Sequence, residues 1–478
     1  MLRLLLRLGP RSTLRSCAAS CSIHGSNTII RAYSTRSLRH LQERGLLSEI
    51  FPDDGLSVSS RLQDVLNSSE QCFYSGFDPT ADSLHVGNLL VLVALLHCQR
   101  AGHDVIAVIG GATGQIGDPS GRRTERSPME VETVEKNASA IEENLRRVFS
   151  NHERYFWRER GETDPLPPLR VLNNMEWYSQ YSLVDFLAII GRRFRMSNML
   201  SRASVQSRLQ SPDGMSFTEF TYQVFQAYDW LYLWRRHGCA FQVGGADQRG
   251  NMVSGYELIT GTTDEEVDVF GLSVPLITSE EGAKLGKSAG NTVWLDPQRT
   301  SPFDLYQYFV RRPDGEAERL LLLFTFYPPA QVAAIMEKHH EKPESRHAQK
   351  KLAESVTTLV HGGEGLRSAK RVTNAIYSRD PEALVSLADA ELRSMFRHSP
   401  VADLSLRSGM TTLDLAMAAK CFRREADAAR IISAGGFHIN QRRVTSAEEV
   451  VSADSHVLPS GLTLLRVGKK NYYIVKWV

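Results

Sequence analysis

The 478-residue chain has little of what would mark several classes of protein. No apolar run approaches the roughly 18–20 residues that span a bilayer, so an integral helical membrane protein is excluded and no membrane partner is expected. Six cysteines are present, with no C-x-x-C pair. Cys17 and Cys21 lie near the N-terminus, and Cys72, Cys98, Cys239 and Cys421 are far apart. Neither a disulfide framework nor a zinc cluster is built from such spacing, and a reducing compartment is expected. Net charge is also scarce, with 56 basic against 54 acidic groups. That near-balance hides an uneven distribution. Residues 1–42 hold seven Arg and no Lys, Asp or Glu; residues 43–300 hold 34 acidic against 24 basic groups; residues 403–478 hold 7 against 11.

The acid-free start has a pattern of its own. Arg3, Arg7, Arg11 and Arg15 recur every four residues, on one side of a helix otherwise covered by Leu2, Leu4, Leu5, Leu6 and Leu8. An amphipathic, Arg-rich, Ser-rich segment without acids reads as a mitochondrial transit peptide. Arg31-Ala32-Tyr33-Ser34 resembles a matrix-protease site, which assigns residues 1–33 to the presequence and the mature chain to the mitochondrial matrix. A basic arm that binds nucleic acid is the competing reading.

Residues 70–295 alternate short apolar strands with helical stretches. Cys72–Phe77, Val105–Gly110, Arg170–Asn173, Ala240–Gly244 and Ser273–Ile277 read as strands. Leu89–Arg100, Ser139–Phe149 and Phe217–Arg236 read as helices. This alternation predicts an α/β fold with a mostly parallel sheet, which binds ligands at the carboxyl ends of its strands. Residues 301–398 show no clear strand, and Pro302, Pro329 and Pro343 each stand where a helix would begin. Residues 400–412 read as a linker. A helix over Arg423–Ser433, a Gly435-Gly436 stop and short strands follow.

Three stretches carry chemistry. A strand ending in Tyr74-Ser75-Gly76-Phe77-Asp78-Pro79-Thr80 leads to His85-Val86-Gly87-Asn88 at the start of an apolar helix. A helix N-terminus offers unpaired N–H groups and a positive dipole end to a phosphate. Gly87 lets a flat base approach the backbone. Downstream, Lys284-Leu285-Gly286-Lys287-Ser288 places two mobile cations and a hydroxyl where they can reach charge developing on a polyphosphate. Between them, Ser216-x-x-Glu219 reads as a capping box opening a helix on which Tyr222, Gln226 and Asp229 share one face. The other positions are largely apolar, and a polar stripe on a buried helix needs a partner, either protein or ligand.

The first two stretches resemble the H-x-G-H and K-M-S-K-S elements of the class I aminoacyl-tRNA synthetases. Gly110-Gly111-Ala112-Thr113-Gly114-Gln115-Ile116-Gly117-Asp118-Pro119-Ser120-Gly121-Arg122, Ser216–Asp229 and Gly244-Gly245-Ala246-Asp247-Gln248 sharpen the likeness to the tyrosine-specific branch, over about residues 38–478. The resemblance implies a Rossmann-like catalytic domain (34–300), an α-helical anticodon-binding domain (301–399) and, after the linker, a small α+β S4-like RNA-binding domain (400–478). It implies that L-tyrosine, ATP with Mg²⁺ and tRNA(Tyr) are bound, by a homodimer, with no protein-bound metal or organic cofactor. It assigns Tyr74 and Asp229 to a phenolic hydroxyl, Asp118, Tyr222 and Gln226 to an α-amino group, and Gln248 to a neighbouring carboxylate. Asp78, Thr80, His85, Gly87, Asn88, Asp247 and Lys287 fall to ATP. Catalysis falls to His85, Asn88, Lys284, Lys287, Ser288, Arg122 and Arg126. Asn88 replaces the second histidine of the motif, which makes it a neutral donor, and Arg249 stands near the ribose side where relatives often have an aromatic residue. Arg423, Arg424 and Arg430, with Gly468-Lys469-Lys470-Asn471-Tyr472-Tyr473, form the expected RNA surface.

Other readings stay open at this point. A tryptophan-specific synthetase shares both signature loops. A splicing or RNA-binding protein could use the same scaffold. A dinucleotide oxidoreductase is disfavoured, because the glycines at 110–117 do not form G-x-G-x-x-G at the opening of a helix.

Overall fold

The computed structural model describes residues 37–53, 56–122, 124–158, 164–277, 287–288, 291–377, 387, 391, 400–468 and 471–478. Residues 1–33, expected to be a presequence, together with Lys284 and the Lys469-Lys470 pair lie outside the described residues, as do the side chains of Lys287 and Ser288. The described chain forms two units. One comprises the residues up to Arg299 with Arg312–Val360; the other comprises Thr300–Arg311 with His361–Val478.

The first unit is built on a six-stranded sheet. Its strands are β1 (Glu49–Phe51), β2 (Cys72–Phe77), β3 (Asp104–Ile109), β4 (Leu169–Asn173), β5 (Phe241–Gly245) and β6 (Phe270–Val274). Their spatial order is β1-β6-β5-β2-β3-β4. All neighbours are parallel except β1, which pairs antiparallel with β6 at the edge. β3 and β6 are apolar on both faces and almost wholly buried, as expected of strands covered by helices on either side. The Val86–Arg100 helix follows β2, and Leu89, Leu92, Val93 and Leu96 along it are fully buried.

Several elements differ from their sequence reading. The last parallel strand lies at Phe270–Val274 instead of Ser273–Ile277. Pro275 has no N–H to donate to the ladder, so the strand must end before it. β1 has only three residues and no periodic signal of its own. The Ser139–Phe149 helix extends to Val131–His152, because Val134, Asn137 and Ile141 continue its buried stripe by two turns. β7 (Lys287–Ser288) pairs with β8 (Asn291–Thr292) as a two-residue antiparallel ribbon.

The second unit contains a five-stranded sheet built from β9 (Val401–Leu404), β10 (Phe437–Ile439), β11 (Arg442–Val444), β12 (Leu462–Val467) and β13 (Asn471–Trp477). Their spatial order is β11-β10-β12-β13-β9. β9 lies inside the expected linker and pairs parallel with β13. The period-two alternation of β12 and β13 sorts their side chains between two cores. Leu465 and Val475 join Leu415, Ile432 and Phe437 under the helices Thr412–Ala418 and Glu425–Ser433. Leu464 and Ile474 join Phe303, Val372 and Ala375 on the opposite face. Pro302 opens a helix of this unit at its first position; in the first unit Pro329 does the same, while Pro343 opens only a 3₁₀ turn. The helix His347–Tyr377 is broken at Gly362, whose φ of 71° lies in the left-handed region.

Candidate active site

The cleft lies in the first unit, at the carboxyl ends of the parallel strands. Chain order runs from β2 through β3 to β4 on one side and through β5 to β6 on the other. The loops leaving β2 and β5 therefore diverge, and a crevice opens between them. Its volume is about 510 Å³. That lies within the range of about 300–1,000 Å³ usual for small-molecule sites. Tyr74, Asp78, Thr80, His85, Gly87 and Asn88 border it from the β2 side. Asp118, Arg122, Arg126, Tyr222, Gln226 and Asp229 border it from the next segments, and Asp247 and Gln248 from the end of β5.

His85 is the N-cap of the Val86–Arg100 helix, and the cap is reciprocal. His85 Nδ1 accepts from the Asn88 backbone N–H at 3.3 Å, and Asn88 Oδ1 accepts from the His85 backbone N–H at 3.1 Å. Two helix-end donors are thus already satisfied by the motif's own side chains. Asn88 at this position explains itself physically: its carbonyl closes the cap and its NH₂ is left to donate. An accepting Nδ1 places the proton of a neutral His85 ring on Nε2.

A connected polar network also lines the cleft. Tyr222 donates to Asp78 Oδ2 at 2.8 Å and Thr113 Oγ1 donates to Asp78 Oδ1 at 2.7 Å. Asn174 Nδ2 reaches Thr113 Oγ1 at 2.9 Å and Asp229 Oδ2 at 3.1 Å. Trp177 Nε1 donates to Asp229 Oδ1 at 2.8 Å, and the single proton of the Tyr178 hydroxyl is shared between Asp229 Oδ1 at 2.8 Å and the Phe225 carbonyl at 2.6 Å. Burial pushes Asp229 up to about 7, against the pull of these three donors. Burial likewise pushes Asp78 up to about 6, with the Thr113 and Tyr222 hydrogen bonds opposing it. Beside them the Tyr74 hydroxyl is buried with no hydrogen-bond partner among the described residues. Gly110 makes this network possible, since a Cβ there would lie 2.0 Å from Asp78 Oδ1.

A second cluster holds the amides. Gln248 Nε2 donates to Asp118 Oδ2 at 2.7 Å, and the Ser120 backbone N–H donates to Asp118 Oδ1 at 2.9 Å. Arg122 and Arg126 lie along the same rim. Burial, then the neighbouring Arg126, lowers the pKa of the Arg122 guanidinium. The Arg126 Nε is buried and unpartnered among the described residues. Two crowded cations of this kind gain from an anion placed between them.

Two expectations are corrected. Ser216 caps the Phe217–His237 helix by accepting from the Glu219 N–H at 3.2 Å, but Glu219 does not reach back to complete the box. Its carboxylate instead takes a bidentate pair from Arg208, at 2.6 and 2.8 Å, with both side chains buried. Arg249 does not border the cleft. It pairs with Glu49 at 3.2 Å and with Asp53, tying the start of its helix to the edge strand.

Sequence reasoning missed Asn174, Trp177, Tyr178, Gln242 and Asn251. The Asn173-Asn174-Met175-Glu176-Trp177-Tyr178 run directly after a strand was the available signal for the first three. Gln242 could have been found as a polar residue inside an apolar strand; it is buried, it borders the cleft, and its Oε1 has no partner among the described residues. Among the described residues no group of three or more His, Cys, Asp or Glu converges on a possible metal position. No helix among them is long and apolar enough to cross a membrane.

Comparison with known proteins supplies the context for this geometry. Residues 67–378 match the family model described as tRNA synthetases class I (W and Y). The chain is 55% identical over 447 residues to the mitochondrial tyrosine–tRNA ligase of Drosophila melanogaster, covering 94% of this chain and 96% of that one. It is 50% identical over 439 residues to the mitochondrial tyrosine–tRNA ligase of Homo sapiens, covering 91% and 90%. The crystal structure of a C-terminally truncated Aspergillus nidulans mitochondrial tyrosyl-tRNA synthetase superposes with a TM-score of 0.64 at 30% identity, covering 73% of this chain and 99% of that one.

Proposed function

The chain belongs to the class I tRNA synthetases of the tryptophan and tyrosine type, and from that premise we infer how its cleft performs the reaction. It attaches tyrosine to tRNA in mitochondria, at the expense of ATP. We propose that Asp229 and Tyr74 hold the phenolic hydroxyl, and that Asp78, Asp118, Tyr222 and Gln226 surround the ammonium. The observation that carries the choice of tyrosine is a buried, unpartnered Tyr74 hydroxyl bordering the same cleft as the buried Asp229 carboxylate, whose Oδ2 takes a single donor and can accept a second. An indole has no hydroxyl to satisfy both.

The tyrosine carboxylate attacks the α-phosphorus of ATP and pyrophosphate leaves, forming tyrosyl-adenylate. A hydroxyl of the tRNA 3′-terminal ribose then attacks the tyrosyl carbonyl, and AMP leaves. No side-chain nucleophile is needed; the protein aligns the reactants and stabilises phosphate charge. His85, Asn88, Arg122, Arg126 and the Lys284–Ser288 segment fill that second role. Thr80, Gly87 and Asp247 contact the nucleoside, and Gln248 the tyrosine carboxylate. Mg²⁺ arrives with ATP as part of the substrate. Tyrosine-dependent ATP–pyrophosphate exchange is the direct test, and no exchange with any amino acid would sink the assignment.

We propose further that the enzyme is a homodimer. Leu183, Val184 and Phe217 are about three-quarters exposed, apolar surface of the kind that a second copy would cover. Sedimentation showing a single-chain mass at micromolar concentration would contradict it. Segments 301–399 and the basic 400–478 are assigned to tRNA, the latter through exposed Arg423, Arg424 and Arg430.

The raised carboxyl groups set opposite pH trends. Asp78 and Asp229 bind protons in the folded chain at about pH 6 and 7, well above their ordinary range. Between about pH 4 and 7 the folded state therefore holds protons that the unfolded state has lost. Their contribution to stability rises as pH falls through that window. Tyrosine binding runs the other way, because an ammonium beside Asp78 favours its ionised form. We expect tyrosine affinity to weaken as pH drops from about 7 to 5, with up to one proton released per tyrosine bound. Titration calorimetry in buffers of different ionisation enthalpy measures that proton; no release at pH 6 would refute the expectation.

A further inference from the structure

The orientation of Gln226 is central to the proposed ammonium site, and nothing in the Phe217–His237 helix itself fixes it. A glutamine amide presents either an acceptor or two donors to a given neighbour, and only its surroundings decide which. An ammonium needs the acceptor.

The surroundings form a chain that starts at a carboxylate. Asp118 accepts from the Ser120 N–H and from Gln248, so the Gln248 amide must turn its Nε2 toward Asp118. Its Oε1 then faces Asn251, whose Nδ2 approaches it at 3.1 Å. Asn251 must therefore direct its NH₂ into the cluster. The same NH₂ lies 2.9 Å from Gln226 Oε1. Ser120 Oγ at 3.3 Å and Asp118 Oδ1 at 3.4 Å are longer approaches, and an NH₂ has only two hydrogens to give. The two shorter contacts account for both. Asn251 is itself buried, so water does not compete for these bonds.

Packing brings the two helices close enough for this contact. Gln226 and Trp230 are one turn apart, as are Asn251 and Gly255. A Cβ on Gly255 would lie 2.6 Å from Trp230 Cε3, so only glycine permits the approach that puts Asn251 against Gln226.

We propose that Asn251 is a positioning residue for the amino-acid substrate. It passes the polarity fixed by Asp118 through Gln248 to Gln226, and so turns the Gln226 carbonyl toward Asp118. Two acceptors then converge where the ammonium is bound. Asn251 touches no substrate itself. This rests on the reading of the cleft as a tyrosine site.

Asn251→Asp tests it at nearly constant shape. An ionised carboxylate at this position only accepts, so in assays at mildly alkaline pH, which keep it ionised beside Asp118, Gln226 must turn its Nε2 toward it and present a donor to the ammonium. The added negative charge would by itself attract an ammonium, so a weakened site cannot be ascribed to charge. In pyrophosphate exchange we expect KM for tyrosine to rise about tenfold or more, with a smaller change in kcat and KM for ATP within about threefold. Asn251→Ser, which keeps one donor, should lose less. Two competitive inhibitors separate positioning from general damage. Tyramine has the ammonium and no carboxylate, and its Ki should rise in step with KM for tyrosine. 3-(4-Hydroxyphenyl)propionate has the carboxylate and no ammonium, and its Ki should hold within about threefold. Both Ki values rising together, or an unchanged KM for tyrosine in Asn251→Asp, would overturn the proposal. A wild-type chain that shows no tyrosine-dependent exchange would overturn the reading of the cleft instead.

Discussion

Replacing Asp229 by asparagine is expected to lower the preference for tyrosine over phenylalanine by about 10- to 100-fold, through loss of a charge-assisted hydrogen bond of about 1.5–3 kcal/mol. KM for ATP should stay within about threefold. The carboxylate takes Trp177 on Oδ1, where the Tyr178 hydroxyl also reaches it while shared with the Phe225 carbonyl, and Asn174 on Oδ2. An asparagine there must point its NH₂ at one of those donors. Asn174 cannot turn to relieve the clash, because its Oδ1 already accepts from the Ala112 backbone N–H at 2.8 Å. The variant therefore loses its best acceptor for a phenolic hydroxyl and gains a buried conflict. Phenylalanine has no hydroxyl to lose, so the ratio of kcat/KM values for the two amino acids is the informative readout. Tyrosine-specific synthetases are the standard instance of a site that rejects a substrate lacking its hydroxyl. Equal losses for tyrosine and phenylalanine would remove Asp229 from the hydroxyl site.

The second large effect is on stability. Arg208→Ala should destabilise the catalytic unit by about 3–5 kcal/mol, because it leaves the Glu219 carboxylate buried without its partner. The pair is bidentate and neither side chain reaches solvent. Replacing both partners together, as Arg208→Met with Glu219→Leu, should cost far less than either single loss, since no orphaned charge remains. Urea unfolding followed through its first transition gives the comparison. A single variant within about 1 kcal/mol of the parent would show that the pair is not the clamp on the pocket helix that its burial implies.

The sheet was legible because its strands are short, apolar and bounded by glycine or polar loops. Cys72–Phe77 matches its reading residue for residue, as the abrupt change at Asp78-Pro79 would lead one to expect. β1 and β9 were not legible. Strands of three and four residues carry too few alternations to stand out, and each is held by its neighbour in the sheet more than by its own pattern. Arg249 shows the same limit at the site. Adjacent to Gln248 in sequence, it points away from the cleft to Glu49 and Asp53, acids some 200 residues earlier that only the fold brings near.

By itself the sequence determined the parallel α/β sheet, the helix start at His85 and the identity of the polar side chains that border the cleft. These follow from hydrophobic period, from caps and from the chemistry of residue types, all of which act over a few neighbouring positions. Only the tertiary structure decided how those side chains are paired. The diversion of Glu219 from its cap to Arg208, the three donors that grip Asp229 and the relay through Asn251 join segments whose separation along the chain carries no signal. A hydrogen bond depends on distance and direction in space, and those are set by how helices and strands pack.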